Sequence, residues 1–102
     1  MILMELSLIP LDKGASFSQY VAGTLGIIHE SGLDYRLNPM GTVVEGDWDE
    51  LLDLLTRCFR ALEEQSDRIS LHVNFDFRRG VSGALESKIK SVETKAGRSF
   101  RT

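Results

Sequence analysis

One cysteine, two prolines and one tryptophan stand in 102 residues, and positive charge is short: twelve Lys and Arg against fifteen Asp and Glu, a net charge of −3. A single thiol, Cys58, excludes an intramolecular disulfide and suits a reducing compartment. No apolar run approaches the ~18 residues of a membrane-spanning helix. The opening Met1-Ile2-Leu3-Met4-Glu5 has no basic segment and no long apolar core, so no secretory signal is expected and a cytoplasmic location is. The acidic balance argues against a nucleic-acid backbone as partner, which would need clustered Lys and Arg. The glycine pair Gly23-Thr24-Leu25-Gly26 lies in a helical pattern and lacks the lysine of a phosphate-binding loop.

Catalytic and metal-binding signals are equally sparse. Neither of the two histidines, His29 and His72, has a Ser or Cys nucleophile at a recognisable spacing. His72 and Asp76 share one side of a strand but stand ~13 Å apart along it, beyond hydrogen-bond reach. Glu5, His72 and Asp76 are the candidates for a metal, too few for a converging ligand set. No catalytic residue, metal or cofactor is assigned, and the chain is not expected to be an enzyme.

What is present is pattern. The length is that of one domain, residues 1–102. Ile2, Met4, Leu6 and Leu8 alternate with Leu3, Glu5, Ser7 and Ile9, a strand that Pro10 ends. Phe17, Val21, Leu25 and Ile28 recur at helical spacing over about 17–31, with Ser16 or Ser18 as cap and Gly32 as the left-handed stop. Residues 33–38 and 40–45 read as an antiparallel hairpin turning at Asn38-Pro39, and Gly46 closes it. Asp47 and Glu50 form a capping box ahead of a second helix with Leu51, Leu52, Leu55, Cys58, Phe59 and Leu62 on its buried stripe. Cys58 is thereby a small core residue. Residues 69–77 alternate throughout, with Ile69, Leu71, Val73, Phe75 and Phe77 on one side and Ser70, His72, Asn74 and Asp76 on the other. Arg78-Arg79-Gly80 turns, and Ser82 caps a last helix carrying Leu85, Ile89, Val92 and Ala96. Residues 97–102 form a tail expected to fray.

The order β-α-β-β-α-β-α predicts an α+β fold: a ferredoxin-like βαββαβ sandwich with a four-stranded antiparallel sheet, plus a C-terminal helix. The first and last strands are then central neighbours. Their polar sides meet on the face away from the two helices, bringing Glu5 and Ser7 beside His72, Asn74 and Asp76. Either Thr42 or Glu45 of the third strand joins them, because both sides of 40–45 are half apolar. Such a face could hold a small, flat, cationic or amide-bearing ligand, or serve only as an interface between subunits.

The stretch from Gly32 to Glu50, with Asn38-Pro39-Met40-Gly41-Thr42 and Glu45-Gly46 at its centre, is more distinctive than any periodicity. With Ser16-Phe17-Ser18-Gln19-Tyr20-Val21 before it and Asp76 and Arg78-Arg79-Gly80 after it, it resembles the small thiamine-binding protein family, long catalogued as uncharacterised. The resemblance spans about residues 2–96. It implies a ferredoxin-like fold and a cytoplasmic homotetramer, a dimer of dimers built from paired sheets. It also implies that thiamine, or its hydroxymethylpyrimidine part, is bound without chemistry on it. Thr42 and Glu45 lie inside the matching motif and Ser7 fits the first-strand pattern. Asn38 and Met40 could shape a pocket at the hairpin. Asn74, Ser7 or Thr42 could meet the aminopyrimidine edge, and Glu45 or Asp76 the thiazolium charge. The competing expectation is a structural or regulatory homo-oligomer with no small ligand.

Overall fold

Alternation of apolar and polar residues puts Ile2–Pro10 in an extended strand (β1) whose even-numbered side chains, Ile2, Met4, Leu6 and Leu8, are all buried. The computed structural model describes residues 1–15 and 17–102. After β1 come α1 (Ser18–Glu30), β2 (Asp34–Asn38), β3 (Gly41–Gly46), α2 (Trp48–Glu63), β4 (Ile69–Phe77) and α3 (Ala84–Ala96). The strands form one antiparallel sheet in the order β2-β3-β1-β4, so the first and last strands are neighbours as expected, but β4 is an edge strand and β3 shares the centre with β1. This is the ferredoxin-like arrangement with its extra C-terminal helix.

The core lies between the even-numbered side of β1 and two helices. Leu51, Leu54, Cys58 and Leu62 of α2 are buried there with Ile28 of α1 and Val44 of β3. The spacing 51, 54, 58, 62 differs from the expected stripe: Leu54 is fully buried, while Leu52 is half-buried. At the start of α2, the Glu50 carboxylate accepts the Asp47 N–H at 3.0 Å, as the capping pattern predicts. Gly46 ends β3 against the Leu33 and Leu51 side chains, which a Cβ would meet at 3.4 Å.

The first helix departs further from expectation. Its core contacts are Tyr20, Ile27 and Ile28, and Val21 is exposed. The Phe17, Val21, Leu25 stripe instead points beside the sheet, beyond the end of β3. Phe17 stands at the N-cap without a side-chain hydrogen bond, and Ser18 is the first helical residue. Ser16, the other expected cap, lies outside the described residues. Gly32 does adopt the left-handed stop, with φ of 78°.

Two loops are tied together by Asp12. Its carboxylate accepts the Ser66 hydroxyl at 2.5 Å and the Asp67 N–H at 2.8 Å. The Ser66 hydrogen bond, then the Asp67 amide, hold the Asp12 carboxyl below its ordinary 3.8. A depressed acid stabilises the fold above its unfolded value, and the contribution is lost as pH falls through the folded one. The stability gap between wild type and Asp12→Asn should therefore narrow as pH is lowered from 7 to below about 3.8, measured by thermal unfolding. A gap independent of pH would show that the ionised clip contributes nothing.

Burial pushes the Cys58 thiol up to about 11, and its sulfur sits 4.0 Å from the Thr24 carbonyl oxygen. A neutral, buried thiol is a poor nucleophile. Ellman's reagent at pH 8 should leave Cys58 untouched in the folded protein and titrate one thiol per chain in guanidinium. Rapid labelling of the native state would contradict this packing.

Candidate binding cleft

Register settles which side chains share a face. Leu3 lies opposite Glu45 on one side and Asp76 on the other, Glu5 opposite Val43 and Asn74, and Ser7 opposite His72. Asp34 and Arg36 of β2 face the same way, through Glu45 and Val43. Glu5, Ser7, Asn74, Asp76 and Glu45 thus occupy the face away from α1 and α2. Thr42 pairs with Leu6 and belongs to the opposite, helix-covered face, where it is buried. The ambiguity of β3 resolves in favour of Glu45 on the polar face.

The third helix covers one end of that polar face. Its N-cap is Gly83, in the left-handed conformation, with no side-chain cap of its own. The capping group comes from the sheet: Glu45 Oε2 accepts the Ala84 N–H at 2.8 Å, and Glu45 is only 5% exposed. This replaces the expected Ser82 cap. A carboxylate there also meets the positive end of the helix. Lys88 donates to the Asp76 carboxylate, and Arg36 reaches Glu86 at 3.5 Å. The tail expected to fray folds back at one point, where the Phe100 N–H donates to the Glu93 carboxylate at 2.6 Å.

At the other end of the face a cleft of about 530 Å³ opens between α1 and the β2–β3 turn, a size suited to a small ligand. It exists because the strands have unequal lengths. β4 follows β1 to Pro10, whereas β3 stops opposite Leu6. The walls are Phe17, Val21 and Leu25 of α1, the Leu37–Thr42 turn, and Ser7 to Ile9 with His72 below. The polar residues that line it are Ser7, Thr24, Asn38, Thr42 and His72. No hydrogen bond among the described residues uses the Thr42 hydroxyl, and it is not sealed off from solvent. Met40 overhangs the rim, 90% exposed. The His72 ring is held by Ser70 at 3.1 Å.

The seven residues expected to bind ligand therefore fall in three places. Ser7, Asn38, Met40 and Thr42 meet at the cleft. Asn74 sits mid-face, its amide donating to Glu5 at 3.3 Å. Glu45 and Asp76 are engaged by α3. The expectation of a carboxylate beside Ser7 and Thr42 is not met: no acidic side chain lines the cleft among the described residues. Sequence reasoning missed Phe17, Val21, Leu25 and His72 as cleft residues. The signal was present in the α1 stripe, but it reads as core until the short β3 is seen. Among the described residues no three His, Cys, Asp or Glu side chains group as a metal site, and no helix is long and apolar enough to cross a membrane.

The fold and cleft define a small ferredoxin-like α+β domain with a mainly apolar, ligand-sized recess at a sheet end. Residues 4–93 match the family model for the thiamine-binding protein. The chain belongs to that family. It is 34% identical to the UPF0045 protein sll0230 of Synechocystis over 91% of this chain and 78% of the relative. It is equally 34% identical to the UPF0045 protein MJ1052 of Methanocaldococcus jannaschii, over 89% and 91%. The crystal structure of MJ1052 superposes with a TM-score of 0.83, covering 89% of this chain and 94% of that one. A Thermotoga maritima protein provisionally assigned to thiamine biosynthesis or salvage shares the fold, with a TM-score of 0.78 at 21% identity over 89% and 97%.

Proposed function

We propose that this chain binds thiamine, or its hydroxymethylpyrimidine part, without transforming it, as a cytoplasmic homo-oligomer, a tetramer formed as a dimer of dimers. The observation that carries the reading is the meeting of Ser7, Asn38, Met40 and Thr42 at one cleft of ligand size. Membership of the thiamine-binding family supports the choice of ligand. The apolar walls, with hydroxyl and amide groups and no carboxylate lining the cleft among the described residues, suit a flat, uncharged aminopyrimidine better than the thiazolium cation. Binding is accordingly centred on the pyrimidine half.

Isothermal titration with thiamine and with hydroxymethylpyrimidine tests this directly. Both should bind, and Thr42→Val, which removes one hydroxyl at nearly constant shape, should weaken both about three- to tenfold. No heat and no thermal shift at millimolar ligand, in folded protein, would end the proposal.

A structural or regulatory oligomer without ligand is the second reading. It draws on the apolar strip of β4, where Leu71, Phe75 and Phe77 are 42, 39 and 57% exposed. Trp48 packs on Phe75 at the margin of this strip, with ring centroids 4.9 Å apart. Native mass spectrometry separates the readings, since it reports both the assembly and any co-purified small molecule. A monomer at micromolar concentration would remove the oligomeric part of either.

A further inference from the structure

Successive residues of a strand direct their N–H and C=O groups to alternate neighbours. The Leu11 N–H donates to the Arg68 carbonyl at 2.7 Å, on the β4 side. Pairing with β4 is unbroken from Ile2 to Pro10, so odd-numbered residues of β1 address β4 and even-numbered ones address β3. The Leu6 carbonyl confirms the parity: a Cβ on Gly41 would lie 3.0 Å from its oxygen. Pairing with β3 ends at Leu6 and Thr42. Leu8 and Pro10 therefore address the cleft with no strand opposite them. Pro10 has no N–H. What remains is one residue, Leu8, presenting a donor and an acceptor side by side.

Neither the strand register nor the hydrogen bonds outside the strands give that pair a partner among the described residues, although Leu8 is only 5% exposed. A backbone donor and acceptor so placed call for a partner. An added peptide strand is a poor candidate, because strand addition needs a run of free backbone pairs and here Thr42 and Pro10 close the gap on either side. A flat heterocycle needs only one such pair. Resting on the ligand reading above, we infer that the Leu8 backbone recognises the ring edge of an aminopyrimidine. The Leu8 N–H donates to a ring nitrogen, and the adjacent exocyclic amino group donates to the Leu8 carbonyl. Phe17 and Val21 supply the apolar wall, and the Thr42 hydroxyl serves a second edge of the ring. Specificity for the amino group then resides in main chain rather than in any side chain.

The test is titration of 15N-labelled protein with hydroxymethylpyrimidine and with its analogue lacking the 4-amino group. The Leu8 amide should move downfield and exchange more slowly with ligand, among the largest changes in the spectrum. The des-amino analogue should bind at least tenfold more weakly. Incorporating the α-hydroxy acid counterpart of leucine at position 8 removes the N–H while keeping the side chain in the core. It too should weaken binding about tenfold. Binding of hydroxymethylpyrimidine with an unmoved Leu8 amide, or equal affinity for the des-amino analogue, overturns this inference and leaves the ligand reading standing. No binding of either compound overturns both.

Discussion

Truncating Leu54 to Ala should lower the free energy of unfolding by about 2–5 kcal/mol. Leu54 is fully buried in the cluster that joins α2 to β1. The loss has two parts, the transfer of the removed methyl groups and the cavity left where neighbours cannot collapse. A domain of this size has only about 5–15 kcal/mol in all, and each kcal/mol shifts its melting point by about 4–8 °C. A drop of at least about 8 °C is therefore expected. Leu52→Ala is the internal control. Leu52 is half-buried, and its truncation should cost less than half as much. Denaturant titration of the two variants checks the assignment, and equal losses would mean that α2 is rotated about its axis relative to this structure.

The second large effect is expected at Glu45. Glu45→Ala removes the acceptor for the Ala84 N–H and the negative charge at the start of α3. An unpartnered buried donor costs about 1–3 kcal/mol, and a carboxylate at a helix N-terminus adds about 0.3–1 kcal/mol. The remaining polar ties of α3 to the sheet, from Lys88 to Asp76 and Glu86 to Arg36, are exposed pairs worth little each. Val92, on the apolar side of α3, is 59% exposed, so packing holds the helix weakly. Amide protection over 84–96 should therefore fall by roughly tenfold or more, with β1 and β4 unchanged. Glu45→Gln keeps an acceptor oxygen and should restore most of the protection. Full protection of α3 in Glu45→Ala, together with lost thiamine binding, would return Glu45 to the ligand site and dismiss its role as helix clamp.

Much of the fold was legible because it is written in short-range periodicity. The alternation in 2–9 names the buried side of β1 without reference to anything else, and that in 69–77 names the helix-facing side of the edge strand β4, where Leu71, Phe75 and Phe77 stay exposed. The Asp47 and Glu50 pair marks a helix start through contacts three residues apart. Hairpin and helix order then restrict the topology to few choices. The site was legible only in part. Ser7, Asn38, Met40 and Thr42 were named from motif and pattern and do meet at the cleft. Glu45 was named with them, yet its carboxylate serves a helix 39 residues further along the chain. Nothing local to Glu45-Gly46-Asp47 announces that. Leu54 was missed because α2 has leucines at 51, 52, 54 and 55, and periodicity alone cannot choose among adjacent apolar residues.

The amino-acid sequence by itself determined which segments become helix or strand, which side of β1 is buried and which side of β4 faces the helices, and that no intramolecular disulfide can form. These are properties of residues two to four apart, where side-chain geometry and hydrogen-bond reach decide the outcome. The tertiary structure decided the rest. Pairing with β1 put Glu45 on the polar face and Thr42 on the other, because one residue of register exchanges the two sides of a strand. The end of β3 opposite Leu6, four residues before the end of β4's pairing at Pro10, opened the cleft and left the Leu8 backbone facing into it. Strand length relative to a neighbour is a long-range quantity, set where chains meet, and no local pattern in β1, β3 or β4 carries it.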